Sequence, residues 1–302
     1  MKVLLINGSP KGKNSIPLQT CLYLQKKNPA HSFEIFHAAQ KIGKLEKDFS
    51  PAAEAIAKAD ILLFSYPVYT FIAPCQLHRF VALMKEHGAD VSGKVATQIT
   101  TSKHFYDTTA HRYIQDNVQE LGMDFIRGLS ADMEDLPTKK GQQEADSWFA
   151  HFLWSAENRY FEPYYPIPAP TAPVPVTVPE ENFDGKPGDV VIIADLKPED
   201  TQLAGMISRF RSKLPYATRV VNLREYPFKG GCLGCFRCAA TGKCVHKDGF
   251  DDYLRTKIQT ADSMVYAFSI EDHSMGALFK TYDDRQFCNG HRTVTIGMPV
   301  GY

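Results

Sequence analysis

A chain of 302 residues, 44% of them hydrophobic, can bury two ordinary cores, and length alone favours two domains over one. Lys plus Arg and Asp plus Glu each number 34, so no net field draws the protein to nucleic acid or to an anionic membrane, and small molecules and other proteins are the expected partners. No apolar run approaches the roughly 18 residues of a membrane span, and the apolar N-terminal run is too short for a signal peptide, so a cytoplasmic location is expected.

Residues 3–7 form a short apolar run that ends at Gly8-Ser9-Pro10, the pattern of a buried parallel strand feeding a loop. Leu18, Cys21, Leu22 and Leu24 then mark a helix, residues 33–36 a second strand, 52–59 a helix, and 61–65 a third strand followed by Tyr66-Pro67-Val68-Tyr69-Thr70. Leu77, Phe80, Val81 and Met84 predict another amphipathic helix, followed by a strand at 95–99, a helix at 113–121, a fifth strand at 123–127 and a closing helix at 142–160. Strands and helices alternating at these lengths imply a doubly wound parallel sheet over residues 1–162.

Eight prolines between 163 and 187 break the pattern, so residues 163–188 read as an extended, semi-rigid spacer. A second domain is expected over 189–302, with strands at 190–194, 219–223 and 263–268 and helices at 202–214 and 251–258. It repeats the first in wording: Ala59-Asp60-Ile61-Leu62-Leu63-Phe64-Ser65 matches Ala261-Asp262-Ser263-Met264-Val265-Tyr266-Ala267. The sequence stops at Pro299-Val300-Gly301-Tyr302, on the repeat's fourth strand, so this domain is expected to be truncated and the natural chain longer.

The segment Gly8-Ser9-Pro10-Lys11-Gly12-Lys13-Asn14-Ser15, between a strand and a helix, predicts an anion site of backbone N–H groups, a helix dipole and short polar side chains. An ordinary Gly- and Ser-rich turn would read alike, and neither a GxGxxG nor a Walker sequence is present. Cys232, Cys235, Cys238 and Cys244 form CxxCxxCx5C, a spacing that lets four thiolates wrap one [4Fe-4S] cluster. A structural zinc site, or bare thiols, are the alternatives. Cys21, Cys75 and Cys288 have no spaced partners and read as buried small hydrophobes. His78, His104, His111, His246, His273 and His291 read as surface or capping residues, Asp251 and Asp252 as helix caps, and Lys280 and Arg285 as solvated helix charges.

Gly8-Ser9-Pro10 opening a helix, with Tyr66-Pro67-Val68-Tyr69 after the third strand, resembles the NADPH-dependent FMN reductase and flavodoxin-like group. The second half is similar to the iron-sulfur flavoproteins of that group through the cysteine segment, Asp251-Asp252 and Asp284-Arg285. The resemblance covers most of the chain outside the spacer. It implies an α/β protein of two tandem flavodoxin-like doubly wound parallel sheets, the second incomplete at its C-terminus. FMN phosphate would rest on Ser9, Lys11, Gly12, Asn14 and Ser15. The isoalloxazine ring would lie against Pro67, Val68, Tyr69, Thr70 and Phe71, with Thr100, Thr101 and Ser102 closing the other side. The same resemblance leaves room for a structural role of Lys280 and Arg285 at the domain contact.

The activity so implied is that of a flavin-dependent oxidoreductase moving electrons between FMN and a [4Fe-4S] cluster, with NAD(P)H or a redox protein as donor. This sequence departs from the family pattern in both halves. Asp195-Leu196-Lys197-Pro198-Glu199-Asp200 replaces the phosphate loop in the second repeat, where its carboxylates would repel a phosphate, and residues 38–58 contain no cysteine. One flavin site and one cluster site are therefore expected, either as an intrachain pseudo-dimer of the two halves or across a homodimer. Two other readings fit the same residues: a non-enzymatic, flavodoxin-like electron carrier, and a zinc-stapled interaction module on a vestigial flavin fold.

Overall fold

A computed structural model of the chain describes residues 1–103, 107–166, 168, 185–290 and 294–302. Most of the expected spacer, together with His104 and His291, lies outside the described residues. The chain divides into two units, Met1–Ile167 with Asp272–Ala277, and Pro168–Glu271 with Leu278–Tyr302.

In the first unit β1 (Lys2–Asn7), β2 (Ser32–Phe36), β3 (Ile61–Pro67), β4 (Val95–Ser102) and β5 (Asp124–Phe125) form a parallel sheet in the order β2-β1-β3-β4-β5. The connecting helices are α1 (Ile16–Lys27), α2 (Ala38–Leu45), α3 (Ser50–Lys58), α4 (Cys75–Glu86), α5 (Thr108–Glu120) and α6 (Lys139–Glu157). Because side chains alternate along a strand, Leu4, Ile6, Leu62 and Phe64 pack with α2 to α5, whereas Val3, Leu5, Ile61 and Leu63 pack with α1 and α6. That is the three-layer arrangement expected from near-continuous apolar strands.

The single fifth strand expected at 123–127 is instead interrupted. β5 and a further strand, β6 (Leu129–Asp132), both pair with β4, but Ala96 faces Phe125 while Ile99 faces Leu129, so one extra residue is inserted between them. Gly128 sits in this step, where a Cβ would lie 2.3 Å from the Gln98 side chain and 2.4 Å from its carbonyl oxygen.

The second unit repeats the winding with four parallel strands, β7 (Val190–Asp195), β8 (Thr218–Asn222), β9 (Ser263–Phe268) and β10 (Val300–Gly301), in the order β10-β9-β7-β8. Its helices are α7 (Thr201–Lys213), α8 (Arg237–Thr241), α9 (Phe250–Tyr253), α10 (Gly276–Arg285) and α11 (Phe287–Gly290), with one π turn, Leu254–Ile258, prolonging α9. After the third strand of each repeat comes the same turn: Thr70 and Phe71 have φ of 47° and 68°, and Asp272 and His273 have φ of 51° and 58°.

Several polar side chains lie deeper than expected. Lys280 is fully buried and pairs with Asp283 at 2.7 Å and Asp284 at 2.6 Å, and Arg285 is buried against Asp248 at 2.7 Å, so neither is a solvated charge. Burial alone would lower the Lys280 pKa, but the two carboxylates more than reverse it, and the pKa ends above its ordinary value. His78 is buried and stacked on Tyr113 with ring centroids 4.0 Å apart. Among the described residues no helix is long and apolar enough to cross a membrane.

Candidate functional site

In an open parallel sheet the ligand crevice lies beyond the carboxyl ends of the strands, where the winding reverses, and in the first unit that place is between β1 and β3. Asn7, fully buried at the end of β1, builds the loop there. Its Nδ2 donates to the Gly12 carbonyl at 3.0 Å and lies 3.0 Å from His37 Nδ1, and its Oδ1 accepts from the Ser9 amide at 3.1 Å. Gly12 has φ +56°, a left-handed backbone conformation that favours glycine, and the tip of the Gln40 side chain lies over it. Asn7 and His37 were not among the expected site residues. The available signal was a polar side chain closing an otherwise apolar run.

A short 3₁₀ turn, Gly12–Asn14, then delivers Ser15 to the N-cap of α1. Its side chain caps nothing, and its Oγ is buried with no hydrogen-bond partner among the described residues. Beside it lie the first-turn amides of Ile16 and Leu18, which a helix leaves without intrahelical acceptors, while Pro17 has no N–H. Ser9 is buried, its Oγ accepting from the Lys11 amide at 3.3 Å, and Lys11, Lys13 and Asn14 are exposed at the rim. Unpaired backbone donors at a helix N-terminus, with an unsatisfied buried hydroxyl beside them, suit a phosphate dianion.

The other expected residues reach the same edge. The Val68 amide donates to the Thr101 carbonyl at 3.0 Å, joining the loop after β3 to the end of β4. Tyr69 and Ile72 exchange two backbone hydrogen bonds, at 2.8 and 3.1 Å, around the left-handed pair Thr70 and Phe71. Neither residue is suited to that conformation, so the turn is strained, and Phe71 stands 54% exposed at its tip. Thr100 and Thr101 are buried, and Ser102 Oγ is a second buried hydroxyl with no partner among the described residues. Thr100 Oγ1 lies 2.8 Å from His111 Nε2 and 3.4 Å from Asp107 Oδ2, and Ser130 also meets that carboxylate. Burial lowers the His111 pKa despite Asp107 beside it, so this histidine is a half-buried hydrogen-bonding group rather than a fully exposed one.

The equivalent helix start in the second unit carries its own carboxylates. Asp200 caps α7, its Oδ1 accepting from the Leu203 amide at 3.1 Å and its Oδ2 from Ser269 Oγ at 2.5 Å. Asp195, at the end of β7, is bridged to Arg224 at 2.7 Å, and burial raises its pKa above the ordinary carboxylate value. Helix-dipole charge is thus already answered from within.

Cys232, Cys235, Cys238 and Cys244 line one concavity together with Phe236, His246 and Arg285, and a fifth thiol, Cys288, joins them. The loop bends through left-handed Phe236, Gly234 and Gly242. Burial pushes the Cys232 thiol to about 11, and the neighbouring charges of Asp284, Cys238 and Cys235 add to it. Cys288, likewise pushed to about 12, first by burial and then by Cys244, belongs to this cluster rather than being an isolated core residue. His246 Nε2 lies 2.8 Å from the Gly231 carbonyl, bracing the start of the loop, and Asp251 accepts from the Cys244 amide at 3.3 Å instead of capping α9. Among the described residues no three His, Cys, Asp or Glu side chains converge closely enough to hold a single metal ion. Zinc would draw thiolates to within about 4 Å of one another, since Zn–S bonds are about 2.3 Å long, whereas a cubane needs them spread around four irons.

Residues 1–132 match the family described as NADPH-dependent FMN reductase, so the likeness read from the sequence is found over that stretch. A curated iron-sulfur flavoprotein of Archaeoglobus fulgidus is 33% identical over 66 residues, which are 22% of this chain and 30% of that protein's length. The fold is similar to the apo form of an NADH:FMN oxidoreductase, with 19% identity over 51% of this chain and 89% of that one, at a TM-score of 0.44. It is also similar to the general stress protein 14 of Treponema denticola in complex with FMN, with 10% identity over 51% and 98% of the two chains, at a TM-score of 0.41.

Proposed function

We propose that the chain is a flavin-dependent oxidoreductase of the iron-sulfur flavoprotein kind, in which the first unit holds FMN, the second holds a [4Fe-4S] cluster, and NAD(P)H is the donor. The observation that carries the reading is the unequal start of the first helix in two units of the same winding. Ser15 at α1 offers an unsatisfied buried hydroxyl inside the stretch that matches the FMN reductase family, whereas Asp200 at α7 fills the corresponding place with negative charge. Bound FMN supplies two-electron exchange with a nicotinamide and one-electron exchange with a cluster.

The chain's own residues bind and orient. Ser9, Lys11, Gly12, Asn14 and Ser15 receive the phosphate, Pro67, Val68, Tyr69, Thr70 and Phe71 face the ring, and Thr100, Thr101 and Ser102 close its other side. Asn7 holds the phosphate loop in shape, and the Asp107–His111–Thr100 cluster fixes the end of β4. Cys232, Cys235, Cys238 and Cys244 ligate the cluster. One flavin unit and one cluster unit in a single chain would meet either as an intrachain pseudo-dimer or across a homodimer.

Anaerobic isolation followed by flavin, iron and sulfide analysis tests this. One FMN and one four-iron cluster per chain are expected, with bleaching of the flavin by NADH or NADPH as sole donor. Flavin without nicotinamide oxidation would reduce the protein to an electron carrier, and material lacking both chromophores would sink the reading.

A further inference from the structure

Arg285 is 1% exposed, yet it lines the concavity of the cysteines. It is rigidly held. Nη1 donates to the Gly230 carbonyl at 2.7 Å and to Asp248 Oδ2 at 2.9 Å, and Nη2 donates to Asp248 Oδ1 at 2.7 Å. The rings of Phe250 and Phe228 lie 5.0 and 5.9 Å from its central carbon. Asp248 is fixed in turn by the amides of Lys229 at 3.1 Å and Phe250 at 3.2 Å. After all of this, Nε is a buried N–H with no acceptor among the described residues. A buried N–H is normally paired, so Nε has a hydrogen bond to give to an acceptor in the concavity. The concavity that Arg285 lines is lined also by Cys232, Cys235, Cys238, Cys244 and Cys288, so sulfur is the prevailing chemistry around it.

We infer that Arg285 is a cofactor-contacting residue of the cysteine site, donating its Nε–H to a sulfur of the [4Fe-4S] cluster and holding the cluster's reduction potential up. The inference rests on the cluster reading above. Adding one electron makes a thiolate-ligated cluster more anionic, so a fixed cation with a hydrogen bond to sulfur stabilises the reduced form more than the oxidised one. Asp248 neutralises Arg285 overall but from the far side of the guanidinium, which leaves the Nε dipole for the sulfurs.

The test uses the full chain grown with ¹⁵N-labelled arginine, isolated anaerobically and reduced with dithionite. Pulsed electron paramagnetic resonance should detect a ¹⁵N coupling to the reduced cluster. The coupling should persist in Arg237→Lys and Arg255→Lys and vanish in Arg285→Lys. A mediated titration of the loaded Arg285→Lys protein should shift the midpoint potential downward by at least 59 mV, a tenfold change for a one-electron couple. A merely structural arginine would move neither signal. Loaded wild-type protein with no ¹⁵N coupling, or a loaded variant with unchanged potential, overturns the inference. Absence of any cluster in the wild type instead sinks the reading beneath it. The labelled wild type needs no substitution, so a variant that fails to fold does not remove the test.

Discussion

Ser15 separates two roles that a serine at a helix start normally combines. A capping serine holds a first-turn amide and loses about 1 kcal/mol of stability when cut to alanine, but here the hydroxyl is buried and bonds to nothing described. Ser15→Ala should therefore leave the first unit's urea midpoint unchanged or slightly raised, while weakening FMN binding by about tenfold to a hundredfold, the worth of a hydrogen bond to a charged phosphate. Asp200→Ala should do the reverse, costing the second unit about 1 kcal/mol without affecting flavin. Equilibrium unfolding and flavin fluorescence titration separate the two. This asymmetry was legible in sequence, because Gly8-Ser9-Pro10 and Asp195 to Asp200 differ in residue type at matched positions. Arg285 and Lys280 were not legible: in Lys280-Thr281-Tyr282-Asp283-Asp284-Arg285 nothing local tells a solvated face from a buried network.

Elements were read where burial is continuous. β1, β3, β7 and β9 announce themselves as short apolar runs between breakers, and they set the winding of both sheets. α2 was missed although Ala38, Ile42 and Leu45 have helical spacing, because Gly43 lowers propensity and the stretch is short. The step between β5 and β6 depends on the packing of Gly128 on Gln98, a contact 30 residues apart in sequence that no local pattern encodes. The turn after β3 is also tertiary in origin, since Thr and Phe both resist positive φ and the flanking Tyr69–Ile72 bonds impose it. Each left-handed side chain stores about 1 kcal/mol or more, so the double variant Thr70→Asn/Phe71→Gly should stabilise the first unit by roughly 1–2 kcal/mol. The same variant removes the exposed ring of Phe71, and flavin affinity should fall. A gain in thermal stability with no loss of FMN binding would remove this turn from the flavin site.

At the scale of the whole molecule, the two units should answer different stimuli. Both tryptophans, Trp148 and Trp154, lie on α6 of the first unit, so tryptophan fluorescence identifies that unit's transition in a calorimetric scan. FMN at a hundred times its Kd should raise the stability of that unit by about 2.7 kcal/mol and leave the other transition in place. Acid should act the opposite way. Burial lowers the pKa of His37 and of His111, in the first case with Lys41 adding to it and in the second with Asp107 opposing it. The unfolded chain takes up these protons near the ordinary histidine value of about 6.5 while the folded unit refuses them, so stability present above that pH declines as pH falls through it. In the second unit Asp248 resists protonation: its burial works against ionisation, but the Arg285 hydrogen bonds and the amides of Lys229 and Phe250 outweigh it. Its contribution is intact above the ordinary aspartate value of about 3.9 and is lost only as pH falls below that. Acidifying from pH 7 to 5 should therefore lower the tryptophan-reporting transition while the silent one stays nearly fixed. A flavin-induced rise confined to the silent transition would move the flavin to the cysteine-bearing unit and overturn the assignment of the Ser15 loop.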